Sequence, residues 1–219
     1  MSKIVWDAIG ERYYETGVKN GVLYVMEGAA YGVGVPWNGL TAVTESPSGA
    51  EATPLYADDT KYLNLTSNEE FGGTIEAYTY PDEFKACNGE AELTAGVVLG
   101  QQPRKAFGFC YRTVIGNDTE ENAHGYKLHL VYNAKAAASE RAYATINDSP
   151  EAITLSWEFT TTPVEVAGFK PTSIVTVDST KVGAEKMALL EAKLYGSDDA
   201  EPTLLMPAEI VALLGEAAG

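Results

Sequence analysis

No apolar run in the sequence approaches the roughly 20 residues that a helix needs to cross a bilayer, so a membrane-spanning helix is not expected. The opening stretch MSKIVWDAIGERYYETG places Asp7 and Glu11 where a secretory signal would need unbroken apolar residues. A soluble chain made in a cytoplasm is therefore expected. Basic residues are scarce as well, with 15 Lys and Arg against 31 acids and a formal charge of -16. That balance excludes a cationic clamp on nucleic acid, which needs clustered Lys and Arg. It leaves open a protein that handles DNA by repelling it.

Chemistry-bearing residues are equally thin. Cys87 and Cys110 cannot form a disulfide framework, and both sit beside strand-like sequence, which predicts two buried thiols. His124 and His129 are five residues apart across a strand start, a poor spacing for a shared metal, so His129 is expected as a partly buried structural residue. Gly32-Val-Gly34-Val-Pro36-Trp37 begins like a dinucleotide fingerprint, but Trp37 replaces the third glycine and Pro36 blocks the helix start. Neither a P-loop nor a G-x-S-x-G elbow occurs. The acidic pairs at 58–59, 82–83, 120–121 and 198–199 fall in loop-like sequence and read as solvated surface, and 117–121 lacks the ligand spacing of an EF-hand. These residues imply no cofactor, no metal and no enzyme.

What the chain does contain is alternation. Period-two patterns at 22–27, 73–80, 106–114, 126–132, 141–146, 152–160 and 172–177 predict many short strands punctuated by Gly, Pro, Asn and Asp. Such strands predict a mainly β domain, with antiparallel sheets packed as a sandwich or barrel. At 219 residues and 45% hydrophobic content, one core and one domain spanning 1–219 are expected. Two helices are predicted, 183–195 with Met187, Leu190 and Leu194 on one stripe, and 207–214 with Pro207 in its first turn and Gly215 as its stop. The second is short and carries Ile210 and Leu213, so it is expected to lie on a neighbouring molecule.

Residues 28–72 are rich in Ala, Gly, Thr and Pro, with only weak strand character at 39–45 and 61–65. A connection this long is uncommon within one compact domain. Its Trp37, Leu55, Tyr56 and Tyr62 are read as contacts to another subunit, with 45–71 ordering on assembly. In 152–160 the apolar face is Ile153, Leu155, Trp157 and Phe159, expected to pack against Leu128 and Leu130. The other face is Thr154, Ser156, Glu158 and Thr160, without a cation, and Glu76 on its own strand is of the same kind. Water, a partner, or something that must slide past without sticking would each suit it.

The stretches TIEAYTYPDEFKACNG at 74–89, FGFCYRTVIGND at 107–118, the run from GYKLHLVYN to SWEFTTTPV at 125–164, and LYGSDDAEPTLLMPAEIVALL at 194–214 together resemble the major tail protein of long-tailed, non-contractile bacteriophages and related prophages. The resemblance implies two packed antiparallel sheets with a flanking α-helix, and hexameric rings stacked into a tail tube. Double-stranded DNA would pass through the lumen without specific binding. It further implies an N-terminal arm at about 1–11, a long inter-subunit loop at about 45–71, and a C-terminal helix and arm at about 183–219. The implied partners are further copies of the chain and tape-measure, tail-terminator and tail-tip proteins. The implied location is the virion tail, after assembly in the host cytoplasm. Under this reading Thr154, Ser156, Glu158, Thr160 and Glu76 are candidates for the lumen wall. A second reading, from 13 Tyr, 3 Trp and an exposed-looking Trp37, is a carbohydrate- or cell-binding β-sandwich. A hydrolase using paired acids is a third.

Overall fold

Alternating aromatic and aliphatic residues at 107–136 build the two most extensively paired strands of the fold. A computed structural model describes residues 3–146, 148 and 151–215. Its strands are β1 (Tyr14–Glu27), β2 (Ala30–Tyr31), β3 (Val35–Trp37), β4 (Leu40–Glu45), β5 (Ser48–Gly49), β6 (Ala52–Ala57), β7 (Thr60–Thr66) and β8 (Glu69–Glu70). They continue with β9 (Gly72–Ala77), β10 (Ala91–Thr94), β11 (Val97–Leu99), β12 (Phe107–Asn117), β13 (Glu121–Ala136), β14 (Leu155–Thr161) and β15 (Ile174–Asp178). The helices are α1 (Ser179–Val182), α2 (Ala184–Tyr195) and α3 (Pro207–Leu214).

Nine strands form one antiparallel sheet in the order β2-β1-β12-β13-β14-β9-β4, with β15 also on β13 and β3 also on β1. The two packed sheets expected from the sequence are thus halves of one hydrogen-bonded sheet that folds over. The fold-over is made by β13, whose Lys127–Val131 stretch pairs with β15 and whose Ala134–Ala136 stretch pairs with β14. Between them one extra residue enters β13, because Phe107 opposes Ala134 while Phe109 opposes Val131. Such a bulge bends a strand. Asn133 sits there at φ 46°, a conformation that Asn tolerates better than most residues. The Tyr31 hydroxyl donates to Asn133 Oδ1 at 3.1 Å and accepts from Asn133 N at 2.9 Å, which holds the bend.

The bend creates two cores on opposite faces of β1-β12-β13, where length and composition predict one, because the middle strands are covered on both sides. Between the sheet halves, Leu23, Phe107, Phe109 and Val131 meet Ile75, Trp157 and Phe159, joined by Trp37 and Phe84. On the outer face, Val22, Tyr24, Cys110, Leu128, Leu130 and Tyr132 are covered by Met187, Leu190 and Leu194 of α2 and by Leu204, Leu205 and Ile210. The order is helices, sheet, sheet. Hydroxyls tie the helical layer down: Tyr24 donates to Leu194 O at 2.6 Å and Tyr132 to Leu205 O at 2.9 Å. Gly73 in β9 is small for a packing reason, since a Cβ there would collide with the Phe159 ring and with Thr44 O.

Several expectations are corrected by this packing. Trp157 and Phe159 are buried as expected, but Leu128 and Leu130 lie in the other core, because consecutive strand residues point to opposite faces and β13 presents its leucines to the helices. The stretch 141–146 carries no strand, and β14 begins only at Leu155, leaving Ile153 and Thr154 exposed before it. Residue 147, in the same predicted neighbourhood, lies outside the described residues. Asp178 caps α1 through Thr180 N at 2.9 Å, and Gly183 at φ 87° separates α1 from α2. The helix at 207–214 forms as expected but lies on its own chain, with Ile210 buried and Leu213 packed against the same core. Trp37 is 2% exposed, packed tilted or edge-on among Phe84, Phe109 and Trp157 with ring centroids 4.5 to 5.5 Å apart, and its Nε1 donates to Thr79 O at 2.9 Å. It is a core residue, available neither to a subunit nor to a sugar. Gly32 and Gly34 lie in the β2–β3 connection, with no helix after them.

Candidate assembly surfaces

The polar face of 152–160 survives from Ser156 onward and is wider than one strand. In the ladder Ser156 opposes Glu76, Glu158 opposes Thr74, and Thr44 of β4 stands beside Thr74 on the far side. Glu158, Thr160 and Thr44 are exposed, while Ser156, Thr74 and Glu76 are half-buried. Glu158 and Glu76 are diagonal neighbours, a like-charge arrangement tolerated where water or a polar filler screens it. Thr154, before the strand, does not join the ladder. Lys135 of β13 opposes Thr160 and is exposed, so the face ends in a cation that the strand's own sequence does not show. Thr74 shares the face of Glu76 by alternation within β9, whereas Thr44 and Lys135 join it only through register, which alternation does not reveal.

Three elements project apolar side chains outward. The stretch 45–71, expected as a long loop with weak strand character only at 61–65, is a hairpin arm: β5 pairs with β8 at its root and β6 with β7 beyond, β7 falling on the weak strand signal. Asp58 and Asp59 form its tip at φ 49° and 59°, the two positive values that a two-residue type I′ turn requires. Cross-strand pairing puts Leu55 beside Leu63 and Thr53 beside Leu65. Tyr56 and Tyr62 on the same two strands are each 71% exposed. A second small hairpin, β10–β11, exposes Leu93, Val97, Val98 and Leu99. In the N-terminal segment, Ile4, Val5, Trp6 and Ile9 are exposed, Trp6 at 77%. That segment is anchored behind these residues: Gly10 N donates to Asp118 Oδ1 at 2.9 Å, Arg12 faces Asp118 at 3.6 Å, and Tyr14 donates to Asn122 at 3.0 Å.

At the root of the arm a titratable cluster closes one end of the inter-sheet core. His129 stacks on Tyr111 at 4.7 Å, and Tyr111 donates to Glu45, the last residue of β4, at 2.5 Å. Its ring nitrogens lie 3.4 Å from Glu45 and 3.6 Å from Glu15, with Thr113 at 2.9 Å and Thr176 at 3.4 Å. Burial lowers the His129 pKa below its usual range, against the pull of Glu45 and Glu15. For Glu15 burial acts upward, but hydrogen bonds from Lys127 and Thr113 outweigh it and hold the carboxyl low. The structural role expected for His129 fits these contacts. Both cysteines are buried and unpaired, and burial pushes each thiol up to about 12. Among the described residues no three His, Cys, Asp or Glu side chains are grouped to hold a metal ion. No described helix is long and apolar enough to cross a membrane.

No family model matches the sequence, and no curated protein matches it. Among solved structures, the chain is similar to a component of the sheath–tube complex of an extracellular contractile injection system (PVC) in its extended state, at 14% identity and TM-score 0.31 over 79% of this chain and 93% of that one. It is also similar to a component of the baseplate of the anti-feeding prophage (AFP), at 6% identity and TM-score 0.35 over 80% of this chain and 97% of that one. Likenesses this loose identify neither a family nor an activity.

Proposed function

We propose that the chain is a structural subunit that self-assembles into stacked hexameric rings, forming the tail tube of a long-tailed, non-contractile bacteriophage or related prophage. The observation that carries the reading is the disposition of its apolar surface. A two-stranded arm is marginal by itself in water, yet this one holds Leu55, Tyr56, Tyr62, Leu63 and Leu65 exposed, and the N-terminal segment does the same with Ile4, Val5 and Trp6. Exposed apolar projections of this kind mark protein–protein contact, and a repeating assembly supplies the contact from copies of the chain. The sequence resemblance supports the same reading, with tape-measure, tail-terminator and tail-tip proteins as partners at the tube's ends and the virion tail as the location.

The face made by Ser156, Glu158, Thr160, Glu76 and Thr74 then suits the lumen. DNA carries about one negative charge per 1.7 Å, and a cationic wall would hold it through counterion release. Hydroxyls and carboxylates let it pass, and Lys135 alone does not reverse that balance. Negative-stain images of the purified protein test the proposal. Rings or tubes are expected, and monodisperse particles at all concentrations would overturn it in favour of a binding module.

A further inference from the structure

A groove of about 660 Å³ opens where the root of the hairpin arm meets the stretch 163–174. Phe71, Pro163, Pro171 and Ile174 give it apolar walls, and among the described residues its charged lining is Glu69 and Lys170. Lys170 has no acid within ion-pair distance among the described residues. Ser173, also in the lining and 4% exposed, has an Oγ without a hydrogen-bond partner among those residues. The site therefore asks for an apolar segment that carries one cation, one anion and a polar hydrogen.

The chain contains such a segment in Lys3-Ile4-Val5-Trp6-Asp7, all of it exposed. Its own groove is out of reach. Gly10 is tied to Asp118, at the turn where Asn117 opposes Glu121. The groove residue Ile174 opposes Val131, ten residues further along β13, or roughly 33 Å at about 3.3 Å per residue. Trp6 lies four residues from Gly10, a reach of about 14 Å at most.

We propose that residues 3–7 of one copy dock in this groove of a second copy, with Trp6 between the apolar walls, Asp7 on Lys170 and Lys3 on Glu69. The contact deepens the tube-subunit reading and rests on it, since it joins one subunit to the next. It leaves the arm's tip free for a different neighbour.

The test uses the full chain with p-benzoylphenylalanine in place of Trp6, irradiated as a mixture of isotopically labelled and unlabelled protein, alongside charge-reversal variants. Crosslinks from position 6 to 69–71 or 163–174 of the other copy are expected. Asp7→Lys or Lys170→Asp should each weaken assembly about tenfold, with recovery in the double variant, and Trp6→Ala should weaken it about thirtyfold, the effect of losing an interface anchor. Rings or tubes whose crosslinks fall elsewhere would overturn this contact and leave the tube reading standing. Crosslinked pairs that build no rings would keep the contact and remove the tube. Neither assembly nor crosslinking would remove both.

Discussion

Replacing Trp157 with Ala should remove a large part of the domain's stability. The ring is 1% exposed and lies 5.2 Å from Phe84, 5.4 Å from Tyr80 and 5.5 Å from Trp37, with tilted or edge-on geometry in each case. Burying about 200 Å² of aromatic surface contributes about 5 kcal/mol at 25 cal/mol per Å². Part of that area is already covered in the denatured chain, so the truncation should cost about 3 to 5 kcal/mol, in line with other large-to-small core changes. With a urea slope of about 2.5 kcal/mol per M, the unfolding midpoint should fall by about 1.5 M. Double-mutant cycles locate the contact. Trp157→Ala with Trp37→Ala should couple by about 1 kcal/mol, whereas Trp157→Ala with Leu130→Ala should be additive, because those side chains occupy different cores. A loss below about 1 kcal/mol, or strong coupling to Leu130, would refute the assignment of faces.

Further outcomes follow from the same packing. Ser46 N donates to Gly72 O at 2.8 Å, so replacing 47–71 by a short Asn-Gly turn should leave a folded monomer, by circular dichroism and sedimentation, that builds no tubes. Putting Lys at Glu158 and Thr160 together should still allow tubes but make DNA delivery slower and salt-sensitive; unchanged infectivity in particles containing the variant would put this face outside. Because His129 binds its proton less readily folded than unfolded, stability should rise with pH from its depressed folded pKa up to about 6.5 and level off above. Chemical denaturation at pH 5 and 7.5 should show that slope, and His129→Gln should lose it. Cys87 and Cys110 should resist a thiol reagent at neutral pH until denaturant is added, since burial holds both protonated.

Much of the fold was legible in alternation alone. Phe107, Phe109 and Tyr111 announced β12, and Met187, Leu190 and Leu194 announced α2, because each pattern is written within one element. Partnership between elements was not legible. Leu128 and Trp157 are both apolar strand residues, and only the bulge at Asn133 decides that they face different cores. Of the arm only β7 showed, weakly, at 61–65: Asp58-Asp59 is an uncommon type I′ turn pair, and Ala, Thr and Pro dilute the alternation around Leu55. Trp37 misled because its sequence neighbours are small residues in a Gly- and Pro-rich stretch, while in space it is wrapped by Phe84, Phe109 and Trp157. On the candidate lumen face, Ser156, Glu158, Thr160 and Glu76 were readable, but Lys135 and Thr44 enter only through register.

Cryo-EM of the assembled protein tests the central claim most directly. A six-fold tube is expected, with the β14-β9-β4 face lining its channel and the hairpin arm and residues 3–7 on adjacent copies. A non-assembling chain, or a tube whose channel is lined by α2 and α3, would contradict it.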